Sequence, residues 1–204
     1  MEALNIFFRS VFTDNLALAF FLGMCSFIAT SKNMKTARGL GLAVILVLLV
    51  TVPLNWLLDR FFLAPGAMAW MGPAFAEVDM SFLTFIVFVA VIAAVTQVVE
   101  MVVEKFIPSL HISLGIFLPL IAVNCAILGA SLFMQERAYD GIGQVLAYAL
   151  GSGFGWFLAI VALAAIREKM RYSDVPKGLQ GLGITFITVG LMGLAFMGFM
   201  GIKL

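Results

Sequence analysis

Gly39 to Leu58 reads GLGLAVILVLLVTVPLNWLL, twenty residues without a charge. A helix rising about 1.5 Å per residue covers about 30 Å with that length, the thickness of a bilayer's hydrocarbon core. Cutting the chain at its charges leaves five more such runs: Asn15–Ser31, Ser81–Val99, Ile112–Gln135, Gly141–Ile166 and Gly178–Ile202, of 17, 19, 24, 26 and 25 residues. The six runs occupy 131 of the 204 residues, so no stretch between them can bury a core of its own. Only 11% of residues are charged, and mean hydropathy is +1.13. The sequence therefore predicts an all-α integral membrane protein with six transmembrane helices in a single membrane domain, residues 1–204. A net charge of +1 excludes nucleic acid as a main partner.

Orientation follows from the basic residues. With six spans, the first, third and fifth loops share one side and carry Lys32, Lys35, Arg38, Lys105, Arg167, Lys169, Arg171 and Lys177. The other side, with both termini, carries Arg9, Arg60, Arg137 and Lys203. The positive-inside bias puts the odd loops in the cytoplasm and both termini outside. Phe61–Ala76 is uncharged, contains Trp70, and is interrupted by Pro65 and Pro73, so it reads as an outer loop at the interface rather than a re-entrant span.

The halves of the chain echo each other. Ala17–Gly23 (ALAFFLG) and Ser113–Pro119 (SLGIFLP) share three of seven residues and the pattern small, Leu, small, bulky, Phe, Leu, helix breaker. Each copy opens a three-span unit, and because three is odd the second unit enters from the opposite face. The expectation is two inverted three-helix repeats, about 1–105 and 106–204, with helices 1 and 4 broken near Gly23 and Pro119. Backbone groups freed at such breaks need protein or water partners, since lipid offers none.

The only two cysteines, Cys25 and Cys125, each follow a copy of this motif. Counted from the cytoplasmic edge they lie about 9 and about 20 Å deep, so unbroken helices would not bring them level. Three readings stay open: small buried hydrophobes, a disulfide, or thiolate ligands of an iron–sulfur group. Two thiolates are half of the usual four, so the third reading demands a second protein or a second copy of this chain.

Other residues offer less. Gly151–Gly155 (GSGFG) looks like a nucleotide-binding glycine loop, but Trp156 occupies the sixth position and no strand precedes it. Close helix packing is the better account, as for Gly190, Gly193, Gly198 and Gly201. His111 is a lone histidine at the mouth of span four. Glu100 and Glu104 end span three on the inner side, where helix dipoles disfavour carboxylates. Glu100, one turn deeper, is a candidate oxygen ligand for a passing cation. Asp14 can pair with Arg9. No nucleophile–base or paired-carboxylate constellation can be placed, so this chain holds no complete active site.

Phe20–Cys25 (FFLGMC), Gly115–Ile121 (GIFLPLI) with Asn124–Cys125, Ile166–Pro176 (IREKMRYSDVP) and Gly181–Thr188 (GLGITFIT) resemble the E-subunit family of bacterial sodium-translocating NADH:quinone oxidoreductases. The likeness runs nearly end to end. The related Rnf ferredoxin:NAD oxidoreductase has a similar subunit, but the Lys169–Pro176 stretch is more like the sodium pump. The Pro-rich Ala64–Ala76 segment is longer than the family pattern.

The resemblance implies a multi-pass subunit of the bacterial inner membrane, within a complex that passes electrons from NADH to ubiquinone and exports Na+. It implies a paralogous D subunit of opposite orientation, each chain giving two cysteines to one intramembrane 2Fe-2S cluster, with Cys25 and Cys125 as this chain's ligands. The A, B, C and F subunits complete the complex, and neither flavin, NADH nor quinone is expected on this chain. Asn124 becomes a candidate hydrogen-bond donor to the cluster's surroundings, and Glu100 a candidate on the sodium path. The competing class is a non-redox inverted-repeat transporter, although such a protein would usually carry intramembrane charge or substrate-binding polar groups that these runs lack.

Overall fold

In the computed structural model, residues 2–63, 81–106, 108, 112 and 119–198 are described, and among them all regular structure is helical. Helix α1 is Glu2–Phe12 and α2 is Met24–Thr30. Helix α3, Met34–Leu58, runs on through a π-turn at Asp59–Leu63. Helix α4 is Thr84–Phe106, α5 the single turn Pro119–Ala122, and α6 Cys125–Glu136. Helix α7 is Ile142–Met170 and α8 Leu182–Met197. Four stretches are long and apolar enough to cross a bilayer: Met34–Leu63, Thr84–Phe106, Pro119–Glu136 and Ile142–Met170. The protein is an all-helical multi-pass membrane protein. The Pro-rich outer segment from 64 on, His111 and Gly201 lie outside the described residues.

Helices α3 and α7 form the central antiparallel pair. A β-carbon on Gly153 would stand 3.1 Å from Ile45 Cα, and one helical turn on, Gly41 lies against the Phe157 ring. Helix α1 runs parallel to the first half of α7 in the same close fashion. A β-carbon on Gly151 would sit 2.7 Å from Phe7 O, and one on Gly155 2.9 Å from Val11 O. The Gly151–Gly155 run is thus a packing surface that lets two backbones approach, as small residues do in membranes. Gly193 of α8 backs onto Phe21, but Gly190 and Gly198 meet nothing among the described residues, so the packing role expected of those two is not found. Trp156, Phe27, Leu40, Leu48 and Ile121 fill the core. Leu42, Leu46 and Val50 of α3 and Phe85, Ile86 and Val98 of α4 are exposed, as lipid-facing or partner-facing side chains are.

The first uncharged run departs from a single span. Helix formation begins earlier, at Glu2, passes through Arg9 and stops at Phe12. Thr13–Gly23 is irregular before α2 resumes. Asn15 explains how this is tolerated without water. Its Oδ1 accepts the N–H groups of Ala17 (3.0 Å) and Leu18 (3.2 Å), while Nδ2 donates to the carbonyls of Val11 (3.0 Å) and Gly155 (2.9 Å). One side chain thus meets three backbone groups that the break would otherwise leave bare and ties them to the Gly155 carbonyl of α7. The fourth run breaks as well, at Val123–Asn124, four to five residues beyond Pro119, which instead opens the turn of α5.

The charges sort to two ends of the bundle. At one end Asp14 pairs with Arg9 (3.0 Å) and Arg137 (2.7 Å), and Arg60 donates to Asp140 O (3.0 Å). At the other, Lys32, Lys35, Glu168 and Arg171 line a hollow of about 470 Å³. Helices α3 and α7 each connect one end to the other, so Arg60 and Arg137 lie at the end opposite Lys32, Lys35 and Arg171.

Candidate metal centre at the helix breaks

Both breaks end in a helix start, and each start carries a cysteine. Gly23 caps α2 with φ +77°, a left-handed conformation that suits glycine, so Cys25 is the second residue of that helix. Asn124 caps α6, and Cys125 is its first residue. The Asn124 side chain is 1% exposed; its Oδ1 accepts from Ala126 N (3.0 Å) and its Nδ2 donates to Ser26 Oγ (3.1 Å). Ser26 in turn donates to Gly23 O (3.0 Å). A β-carbon on Gly23 would overlap Asn124 Oδ1 and come within 3.1 Å of Ala126 Cβ and 3.2 Å of Trp156 Nε1. Gly23–Ser26 and Asn124–Ala126 are therefore locked together, although about a hundred residues apart in sequence. The breaks bring the two cysteine-bearing turns side by side, which unbroken helices could not do.

Both cysteines are free and exposed on the surface of this chain. The two thiols form no disulfide with each other, and neither is packed into this chain's own core. Val123 and Phe21, next to the two turns, are exposed too, so the thiols stand on an apolar outer surface rather than in the core. Among the described residues no three of His, Cys, Asp and Glu gather closely enough to hold a metal ion. A pair of outward thiols at adjoining helix starts fits half of a four-thiolate set, the other half having to come from a surface laid against it. The start of α6 also presents the positive end of its dipole, which complements an anionic group.

Asn124's amide is engaged in capping α6 and bracing α2, which makes it the residue that positions both turns. The structure does not bring Glu100 into this cluster. The run of uncharged residues ends at Val99, but α4 continues to Phe106, so Glu100 lies about a turn and a half inside the helix, half-buried. No ion pair or hydrogen bond among the described residues engages it. Glu104 and Lys105 are exposed.

Two arginines fix the broken span from either end. Arg167 of α7 donates from Nη1 to Ile28 O (2.8 Å) and Ser31 Oγ (2.6 Å), which ties down the far end of α2. Arg137 holds Asp14 and stacks over Tyr148 at 5.4 Å. Burial alone would lower the Arg137 pKa, but the Tyr139 hydroxyl and the Asp14 charge outweigh it and the net shift is upward, so its charge is permanent. The sequence pairs Asp14 with Arg9 by proximity and gives no sign of Arg137.

The chain matches, over residues 3–203, the family described as Rnf-Nqr subunit, membrane protein. It belongs to the Rnf-Nqr family. Among its relatives is the E subunit of the Na(+)-translocating NADH-quinone reductase of Psychromonas ingrahamii, 60% identical over 201 residues and 98% of each chain. The proteins of the same name from Idiomarina loihiensis, 58% identical over 98% of each chain, and Rhodopirellula baltica, 58% identical over 100% of this chain and 99% of its own, are comparably similar. Likeness at this level across the whole length means that this Rnf-Nqr chain shares its fold with those relatives from end to end.

Proposed function

We propose that this chain is the E-type membrane subunit of a sodium-translocating NADH:quinone oxidoreductase and that Cys25 and Cys125 are its two ligands to a 2Fe-2S cluster shared with a paralogous D subunit. The observation that carries the cluster reading is the pair of outward-facing thiols on adjoining helix starts, cross-braced by Asn124 and Ser26. The name borne by the relatives favours the sodium pump over the Rnf complex. The cluster, when bound, supplies a one-electron carrier inside the membrane's dielectric barrier. This chain's residues hold and aim it. Gly23 and Asn124 set the direction of the two helix starts, Ser26 and Asn124 keep them in register, and exposed Phe21 and Val123 seal the partner interface against water. Arg167 and Arg137 anchor the broken span that carries Cys25.

In this reading the odd loops face the cytoplasm, both termini face the periplasm of an inner-membrane protein, and residues 1–105 and 106–204 are the inverted repeats. The A, B, C and F subunits surround the pair, and flavin, NADH and quinone bind elsewhere. Asn124 acts on the cluster by positioning the Cys125 turn. Glu100, without a side-chain partner among the described residues near the inner end of α4, is a hard oxygen ligand on the sodium entry path.

The test is iron content together with electron flow in the purified complex. Cys25→Ser and Cys125→Ser should each remove the cluster's iron and block quinone reduction, and should loosen the D subunit because shared ligands couple metal binding to assembly. Met24→Leu should leave all three unchanged. Normal iron and activity in Cys125→Ser would end the proposal.

A further inference from the structure

Helix α7 ends at the edge of its uncharged run and is ringed there by hollows. The run stops at Ile166, Arg167 follows, and the helix continues only to Met170. A cavity of about 240 Å³ lies between the end of α7 and the start of α8, with Arg167, Arg171, Ser173 and Gln180 in its lining. A second hollow, of about 460 Å³, runs along Ala165, Ile166 and Lys169 and shares Met170 and Ser173 with the first. Arg171 joins the first cavity to the hollow of about 470 Å³ beside Lys32 and Lys35. The three linings hold five cations and a single carboxylate, Glu168. No ion pair among the described residues neutralises any of the five. Arg167 uses Nη1 for Ile28 O and Ser31 Oγ, and no described group accepts from its Nε or Nη2. The loop that walls the first cavity is braced, since Gln180 Nε2 donates to Val175 O (3.0 Å) and Ile184 N–H to Leu179 O (2.9 Å).

We propose that the joined hollows at the end of α7 are a binding site for one anionic phospholipid. Its phosphodiester lies among Arg167, Lys169 and Arg171, and an acyl chain runs along Ala165, Ile166 and Met170. Unneutralised cations at the membrane's edge call for an anion, and guanidinium forks match phosphate oxygens. The second hollow selects the lipid over a free anion. Its lining is apolar apart from Lys169 and Ser173, and Ala165 and Ile166 are exposed at the end of the uncharged run, where hydrocarbon is the solvent. Lys169 suits the junction, because its stem lies along apolar surface while its ammonium reaches the headgroup. Tyr172, 92% exposed just past the helix, is the aromatic expected at headgroup level. Because Arg167 also ties down α2, the bound headgroup links the start of α8 to the span that carries Cys25. The inference holds whichever side of the membrane this end faces and whether or not a cluster is bound.

The test uses the intact complex, stripped of lipid in detergent and titrated with phosphatidylglycerol, phosphatidylcholine or inorganic phosphate. Phosphatidylglycerol should raise the temperature at which the complex comes apart, and the other two should not. An equal rise with phosphatidylcholine or with phosphate overturns the proposal, as does no rise with phosphatidylglycerol, which is the result if another subunit covers the site. The double variant Lys169→Gln, Arg171→Gln places the effect on this chain. Both side chains are exposed, so the fold does not depend on them. The half-saturating phosphatidylglycerol concentration should rise about fivefold per cation removed, about thirtyfold for the pair, with iron content unchanged. Lys177→Gln removes a nearby cation that lines none of the three hollows and should leave half-saturation as in the wild type. A double variant that titrates like the wild type, or a Lys177→Gln effect as large as that of the double variant, overturns the proposal.

Discussion

Gly23→Ala should be among the most damaging single-methyl changes in the chain, and its cost can be built from the local geometry. Residue 23 holds φ +77°, which costs an L side chain about 1–2 kcal/mol. The added methyl overlaps Asn124 Oδ1 and crowds Ala126 Cβ at 3.1 Å and Trp156 Nε1 at 3.2 Å, packed atoms whose displacement costs about 1–3 kcal/mol. Pushing Asn124 aside also forfeits its cap on α6, about 1 kcal/mol more. The total, about 3–6 kcal/mol, is a large part of the 5–15 kcal/mol typical of a folded domain. The measurement is the fraction of complex still assembled after graded heating, followed by size exclusion, with iron assayed in the same fractions. Gly190→Ala is the matched control: no described atom lies within 4 Å of its β-carbon position, and alanine in a helix interior is up to about 1 kcal/mol better than glycine. If the two variants behave alike in heat resistance and iron content, the contact between the two breaks does not hold the fold as argued.

The outer ion pair gives a second expectation. Asp14→Ala leaves the half-buried Arg137 guanidinium without the carboxylate now at 2.7 Å, which should cost about 2–3 kcal/mol after allowance for partial exposure, read in the same heating assay. Loss on that scale should persist at high salt, because screening reaches buried pairs poorly. Lys177→Cys should react with an impermeant thiol reagent only from the cytoplasmic side of sealed vesicles; labelling from the outside would reverse the orientation and the inverted-repeat scheme. Glu100→Gln keeps shape and removes charge, so it should raise the sodium concentration for half-maximal turnover without loss of iron. An unchanged sodium dependence with full iron would make Glu100 a structural residue.

What can be read from the residues alone divides along physical lines. The uncharged runs locate α3, α4, α6 and α7 because a bilayer penalises charge wherever a helix faces lipid. The same rule misplaces the first span. It treats Asp14 as a boundary, whereas the helical segment begins at Glu2 and carries Arg9, 61% exposed, which reaches round to Asp14. Glycine and proline signal the breaks, but the side chains that satisfy the freed backbone groups there are asparagines. Asn15 stands at the edge of a run, where nothing local marks it out; its side chain bonds depend in part on Gly155, 140 residues away. The pairing of Arg137 with Asp14 is hidden for the same reason.

The ties that hold the first 31 residues have a consequence for the order in which the chain acquires its shape. Asn124 reaches Ser26 across 98 residues, Arg137 reaches Asp14 across 123, Arg167 reaches Ser31 across 136 and Gly155 receives Asn15 across 140. A ribosome adding about 5–20 residues per second delivers those partners roughly 5–30 s after the segment they fix has emerged. During that interval α1 and α2 have neither the glycine surface of α7 to pack on nor the arginines that pin their ends. The first part of the protein to be made is therefore the last to be fixed, and Cys25 takes its final direction only after α7 has entered the membrane.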